Sequence, residues 1–178
     1  MTRFIVTFLM MMGMSYLASA DVLDLLKAGL AARIRGDFGA AVKFYTEAID
    51  TGSLSNANRA IVLASRGVAY DMIGETDRAI DDFDTAIRLY PDYGRTYIDR
   101  GLAWAKKRDF NRAIVDFTEA IRRDPSDAFL ALSNLGNVDE EIGEHDRAIE
   151  NYGRSIELNP GYFPTYYGRA DAYYAKGD

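Results

Sequence analysis

Small, aromatic and aliphatic residues return along this chain at a fixed long period, and within each period they fall at helical spacing. The triplets Arg78-Ala79-Ile80, Arg112-Ala113-Ile114 and Arg147-Ala148-Ile149 stand 34 and 35 residues apart. Each leads to an aromatic, a small residue and an isoleucine: Phe83, Ala86, Ile87; Phe117, Ala120, Ile121; and Tyr152, Ser155, Ile156. An earlier copy reads Ala41, Tyr45, Ala48, Ile49. The later three copies close on Pro91, Pro125 and Pro160, and the earliest has Ser53 at that place. Proline lacks the amide hydrogen a continuing helix needs. Twelve residues before each alanine sits a glycine, Gly29, Gly67, Gly101 or Gly136. Around it lie pairs such as Leu63 and Tyr70, or Tyr97 and Trp104, at the spacing of one helix face. A period of this length marks stacked repeats. Each period predicts two helices, with glycine on the first and alanine on the second letting their backbones approach.

The turn inside each pair is patterned too. Gly36, Gly74 and Gly143 are placed to end the first helix in the left-handed conformation. Asp77, Asn111 and Asp146 are then placed to cap the second. Arg108 stands where glycine stands elsewhere, which predicts a different turn in that pair. The stretch from Thr51 to Asn58 is long and rich in Ser and Asn, and is expected to protrude.

The order glycine, aromatic, glycine, alanine, aromatic, alanine, proline over 34 residues resembles the tetratricopeptide repeat. Units run at about 22–55, 60–93, 94–127 and 129–162, with a first helix alone at 163–178. The resemblance implies an all-α fold, an α-α superhelix of antiparallel helix pairs, over 21–178. Its concave face would be lined by the first helices, and its usual work is protein–protein scaffolding. The family's ligand-facing positions, carried over, give Leu23, Leu26, Leu30, Arg33 and Ile34, then Ile61, Ala64, Val68, Asp71 and Met72. Next come Arg95, Ile98, Leu102, Ala105 and Lys106, then Leu130, Ser133, Asn137, Glu140 and Glu141. The incomplete unit adds Tyr167, Asp171 and Tyr174. Chaperone-binding members clamp a terminal carboxylate with Lys and Asn, where this chain has Leu26 and Leu30. Sugar-transferase members carry a ladder of groove asparagines, of which only Asn134 matches. What remains is a groove apolar at its start and acidic towards its end. It suits a protein or peptide ligand with apolar anchors and a basic end near Glu140 and Glu141. By its place in the repeat Trp104 is expected to be a core aromatic.

Composition narrows the function further. The segment Phe4 to Leu17 is almost wholly apolar, Arg3 is the only charge before Asp21, and Ala18-Ser19-Ala20 offers small residues for cleavage. We read residues 1–20 as a signal peptide and the product as secreted, into a bacterial periplasm, with no stable membrane insertion after cleavage. Loss of Arg3 takes the net charge from -6 to -7, a poor balance for nucleic acid, whose phosphates are met by Lys and Arg. The chain has no cysteine, hence no disulfides or thiol chemistry. His145 is the one histidine and is expected as a solvated turn residue; no zinc cluster or catalytic triad can be assembled around it. The acidic runs Asp81, Asp82, Asp84 and Asp139 to Glu141 fall within helices, where neighbours diverge, so no metal or cofactor is expected. The chain is read as a non-enzymatic adaptor. Two alternatives have motives of their own: a targeting arm for an enzyme domain beyond residue 178, and a module that self-associates through the tyrosine-rich end around Tyr166, Tyr167, Tyr173 and Tyr174. That end is not the polar cap with which solenoids normally finish.

Overall fold

The structure, a computed structural model, describes residues 21–177. The signal-peptide segment lies outside the described residues. The described chain is helical without strands and divides into two compact units, one ending at Leu89 and the other beginning at Tyr90. The first holds α1 (21–34), α2 (Phe38–Asp50), α3 (Asn56–Met72) and α4 (Thr76–Leu89). The second holds α5 (Gly94–Lys106), α6 (Phe110–Arg123), a short 3-10 turn (Pro125–Asp127), α7 (Ala128–Glu141), α8 (His145–Leu158) and α9 (Pro164–Lys176). Helices α3 and α4, α5 and α6, and α7 and α8 pack as pairs. No helix of the described residues is long and apolar enough to cross a membrane.

Helix ends follow the residues with one shift of register. Asp37 accepts from the Ala40 amide at 3.0 Å and Asp109 from the Arg112 amide at 3.1 Å, satisfying amides that the first turn leaves unpaired. Asn111 lies inside α6, and Asp77 and Asp146 lie in the first turns of α4 and α8. None of the three is the cap expected of it. Their charge, where they have one, faces the positive end of the helix instead. The cap comes earlier because it directly follows the left-handed residue. Arg108 is that residue in α5–α6, with φ 61° beside 77°, 85° and 82° at Gly36, Gly74 and Gly143. The same closing bond seals all four turns: Asp37 N to Ala32 O, Glu75 N to Tyr70 O, Asp109 N to Trp104 O and Glu144 N to Asp139 O, at 2.8 to 2.9 Å. The expected different turn is therefore the common one, held at a cost of about 1–2 kcal/mol of left-handed strain.

Helices α4, α6 and α8 stop two residues before Pro91, Pro125 and Pro160, since a residue preceding proline avoids the helical region. The long loop is shorter than expected, because α3 starts at Asn56 with Ser55 accepting from the Asn58 amide at 3.3 Å.

Aromatic rings, rather than alanines, meet the helix glycines. A Cβ on Gly67 would stand 2.7 Å from Phe83, one on Gly101 2.7 Å from Phe117, and one on Gly136 2.5 Å from Tyr152. Ala79, Ala113 and Ala148, four residues earlier, are fully buried beside these rings in sequence. One residue before glycine and aromatic, Arg66 forks onto Asp82 (2.7 and 2.7 Å) and Arg100 onto Asp116 (2.9 and 2.6 Å). Trp104 is half-buried, not a full core residue, with the Arg112 guanidinium 4.2 Å over its ring.

Candidate functional site

In the second unit, the C-terminal half of α5, the first half of α6 and the face of α7 line an open cavity of about 340 Å³. Its apolar lining comes from Leu102, Ala105, Phe110, Phe117 and Val138; Asn134 and Asn137 supply amides, and Lys106, Arg108 and Glu141 supply charge. Leu102, Ala105 and Lys106 reach it because positions three and four apart share a helix face. Asn134, Asn137, Val138 and Glu141 follow the same rule on α7. Arg108 and Phe110 enter from the turn, with Arg108 over the Phe110 ring at 5.1 Å and 3.4 Å from Glu141.

The amides are set by what lies behind them. The Tyr152 hydroxyl donates to Asn137 Oδ1 at 2.8 Å. Burial, with Glu140 beside it, raises the pKa of that hydroxyl well above the usual tyrosine value, so it stays a donor. With its oxygen engaged, Asn137 has its amide hydrogens left to offer the cavity. Asn134 also lines the cavity and makes no side-chain hydrogen bond among the described residues. Chemically the site is an apolar slot with two amide side chains and a ring of charge. It can hold a chain segment; no set of three His, Cys, Asp or Glu suited to a metal occurs among the described residues.

Of the residues expected to face a ligand, Leu102, Ala105, Lys106, Asn137 and Glu141 converge on this cavity. Ile98 does not: it is 2% exposed and packs inside, as do Ala64 and Ser133. Ser133 accepts from Thr165 at 3.2 Å within a buried hydroxyl pair. Arg95 lies outside the cavity, paired with Asp99 at 3.4 Å and Asp127 at 3.8 Å. Glu140 is turned to His145, whose Nδ1 is 2.8 Å away. That histidine opens α8 half-buried and is not the solvated turn residue expected. In the first unit Arg33 and Met72 are exposed, and Asp71 accepts from Thr76 at 2.7 Å. Tyr167, Asp171 and Tyr174 are exposed on α9. The groove positions missed were Arg108, Phe110 and Phe117, which belong to the turn and the second helix, and Val138 on α7. The signal for Arg108 was its place at the glycine position.

Comparison with known proteins agrees with this architecture. The family description "Tetratricopeptide repeat" matches residues 65–128, and "TPR repeat" matches 136–177. A small glutamine-rich tetratricopeptide repeat-containing protein 2 of Mycosarcoma maydis is 32% identical over 124 residues, 70% of this chain and 24% of the relative. The tetratricopeptide repeat and J domain-containing co-chaperone DNJ1 of Cryptococcus neoformans var. grubii is 27% identical over 135 residues, 70% of this chain and 25% of the relative. The chain thus spans about a quarter of the curated relatives it matches. Among solved structures, MamA superposes with a TM-score of 0.72 at 27% identity over 89% of this chain and 84% of its own. The first repeat domain of Spaghetti (RPAP3), solved with the HSP90 peptide SRMEEVD, gives 0.65 at 24% identity, over 68% of this chain and 98% of its own. With the 34-residue period, the paired helices and the glycine–aromatic contacts, these matches establish that the chain belongs to the tetratricopeptide-repeat family of protein–protein interaction modules.

Proposed function

We propose that the protein is an adaptor that binds an extended peptide of another protein in the α5–α7 groove. The observation that carries this is the 340 Å³ cavity itself, within the roughly 300–1,000 Å³ of ordinary ligand pockets. Its apolar lining receives one side chain of leucine, methionine or phenylalanine size. Asn134 and Asn137 donate to backbone carbonyls on either side, and Glu141 favours a basic residue on the ligand. A chaperone-tail ligand, as in the RPAP3 complex, is not the reading we favour, because Leu26 and Leu30 offer no cation to a terminal carboxylate. We place the protein in the bacterial periplasm, on the strength of the apolar Phe4–Leu17 segment followed by Ala18-Ser19-Ala20 and of a chain without cysteine. A fusion to a reporter active only after export tests that placement, and an inactive fusion rejects it.

The binding reading is tested with a displayed library of random 12-residue peptides selected on residues 21–178, followed by titration of the selected peptides against variants. Leu102→Glu puts a charge into the apolar lining and is expected to weaken binding about 100-fold, and Asn134→Ala with Asn137→Ala about tenfold. Selection that enriches nothing, or peptides bound equally by Leu102→Glu protein, rejects the groove.

A further inference from the structure

Arg108 and Phe110 line two open recesses at once. One is the α5–α7 cavity; the other, of about 430 Å³, is completed by Lys107, Asp109, Asn111 and Ile142. The carboxylate of this second recess is already engaged. Asp109 Oδ1 accepts from the Arg112 amide at 3.1 Å, and Oδ2 stands 3.1 Å from the Arg112 guanidinium. Asn111, expected as a cap but lying inside α6, makes no side-chain hydrogen bond among the described residues. Ile142 is exposed. Cation, unpaired amide and apolar surface thus face one space, and the carboxylate within it is turned to Arg112.

The Arg108 side chain is lightly held between the two recesses. Its one ionic partner among the described residues is Glu141, at 3.4 Å with both side chains largely exposed, a weak pair by length and by solvent screening. Arg66 and Arg100, by contrast, each fork onto a carboxylate with two bonds of 2.6 to 2.9 Å. A guanidinium carries five N–H groups, so most of the donors of Arg108 remain for a ligand. The backbone here is also strained where the other turns are not: Gly36, Gly74 and Gly143 hold the left-handed place that Arg108 holds at φ 61°. Strain of this kind points to function, and the side chain is what glycine would not supply. We propose that Arg108 is a specificity residue of the groove. It binds a carboxylate of the same peptide whose apolar side chain fills the α5–α7 cavity, and that acidic residue lies in the second recess between Arg108 and Asn111. This rests on the groove function proposed above. The ligand's carboxylate replaces Glu141 on the guanidinium, since a charge-assisted fork is stronger than one long bond, and Glu141 is released to meet a basic residue of the ligand. The ligand is therefore an extended peptide with an acidic residue close in sequence to its apolar anchor.

Glycine at position 108 takes the conformation of the other three turns, so Arg108→Gly removes the side chain and keeps the fold. Its thermal melt is expected at or above that of the parent; a melt below it overturns the proposal, because Arg108 would then be holding the turn. The displayed library of random 12-residue peptides is selected in parallel on residues 21–178 of the parent, of Arg108→Gly and of Arg108→Glu. Peptides enriched on the parent are expected to carry Asp or Glu within about four residues of an apolar anchor. On Arg108→Gly the anchor stays and the acidic preference disappears; on Arg108→Glu, Lys or Arg takes the acidic place. In titration a parent-selected peptide is expected to bind Arg108→Gly about tenfold more weakly, while the same peptide with its acidic residue changed to the amide binds both proteins alike. Anchored peptides with no acidic preference on the parent, or with an unchanged preference on Arg108→Gly, overturn the role of Arg108 and leave the groove standing. Enrichment of no anchored peptide on any of the three proteins overturns the groove reading and this one with it.

Discussion

At Gly101 and Gly153 the same substitution acts in opposite directions, because only one of them faces a ring. Gly101→Ala drives a methyl to within 2.7 Å of Phe117, which is fully buried and has nowhere to move. A loss of about 1–3 kcal/mol is expected from overpacking. Gly153 lies inside α8 with nothing within 4 Å of its missing Cβ. Gly153→Ala should add about 0.5–1 kcal/mol by restricting the unfolded chain, and urea denaturation of both variants checks the pair. That the repeat glycines mark close approach was legible from their period. Which atoms come close was not, because the crossing of two helices decides whether alanine or the ring four residues on lies opposite. Arg108 was misread for a related reason: intrinsic preference argues against a left-handed arginine, and the closing bond from Asp109 to Trp104 overrides it. Asp139 adds a pH signature. It is fully buried, with Asn151 donating to Oδ2 at 2.8 Å and Arg147 2.9 Å from Oδ1 but outside hydrogen-bond alignment. Burial raises its pKa above the ordinary 3.8. The native state therefore holds this proton to higher pH than the unfolded chain does. Its contribution is most favourable at low pH and declines as pH rises from about 3.8 through the raised native value. Asp139→Asn should remove that decline, so its stability difference from the parent moves in the variant's favour between pH 4 and pH 7 in matched thermal melts.

At the scale of the element, what binds the pairs α3–α4 and α5–α6 together is partly ionic. The Arg100 side chain is 21% exposed and that of Asp116 3%, so Arg100→Met leaves a carboxylate desolvated without its fork. A cost of about 3 kcal/mol is expected. The double variant Arg100→Met, Asp116→Leu should recover most of it, since the expense lies in the orphaned charge more than in the lost attraction. A double-mutant cycle by chemical denaturation decides, and equal losses in single and double variants would contradict this account. Helix ends marked by prolines and turn glycines were legible within a residue or two, whereas α3 starts at Asn56, four residues before the expected unit. The fork was not, because residues sixteen apart on different helices share no local period. The fourth pair shows the same independence of pattern: Leu135 and Asn151 hold the fork positions, and Asn151 serves Asp139 instead.

Over the whole molecule, repeat register was enough to bring Leu102, Lys106, Asn137 and Glu141 to one cavity, because each is a fixed position on a first helix. It could not supply Arg108 and Phe110, which a rule reading only first helices passes over. Nor could it tell that Ile98 and Ser133 turn inward, which depends on how far neighbouring pairs close up. The same nearest-neighbour logic sets a gradient of local stability within the second unit. Helix α7 buries eight residues and lies between α6 and α8, whereas α9 buries only Thr165 and Ala172. In a stack stabilised by neighbour contacts, opening is easiest for the helix that buries least. Amide hydrogen exchange of residues 21–178 should therefore show the 164–176 amides exchanging faster than those of α7 and α8. Protection of α9 equal to or above that of α7 would contradict a gradient set by neighbour contacts.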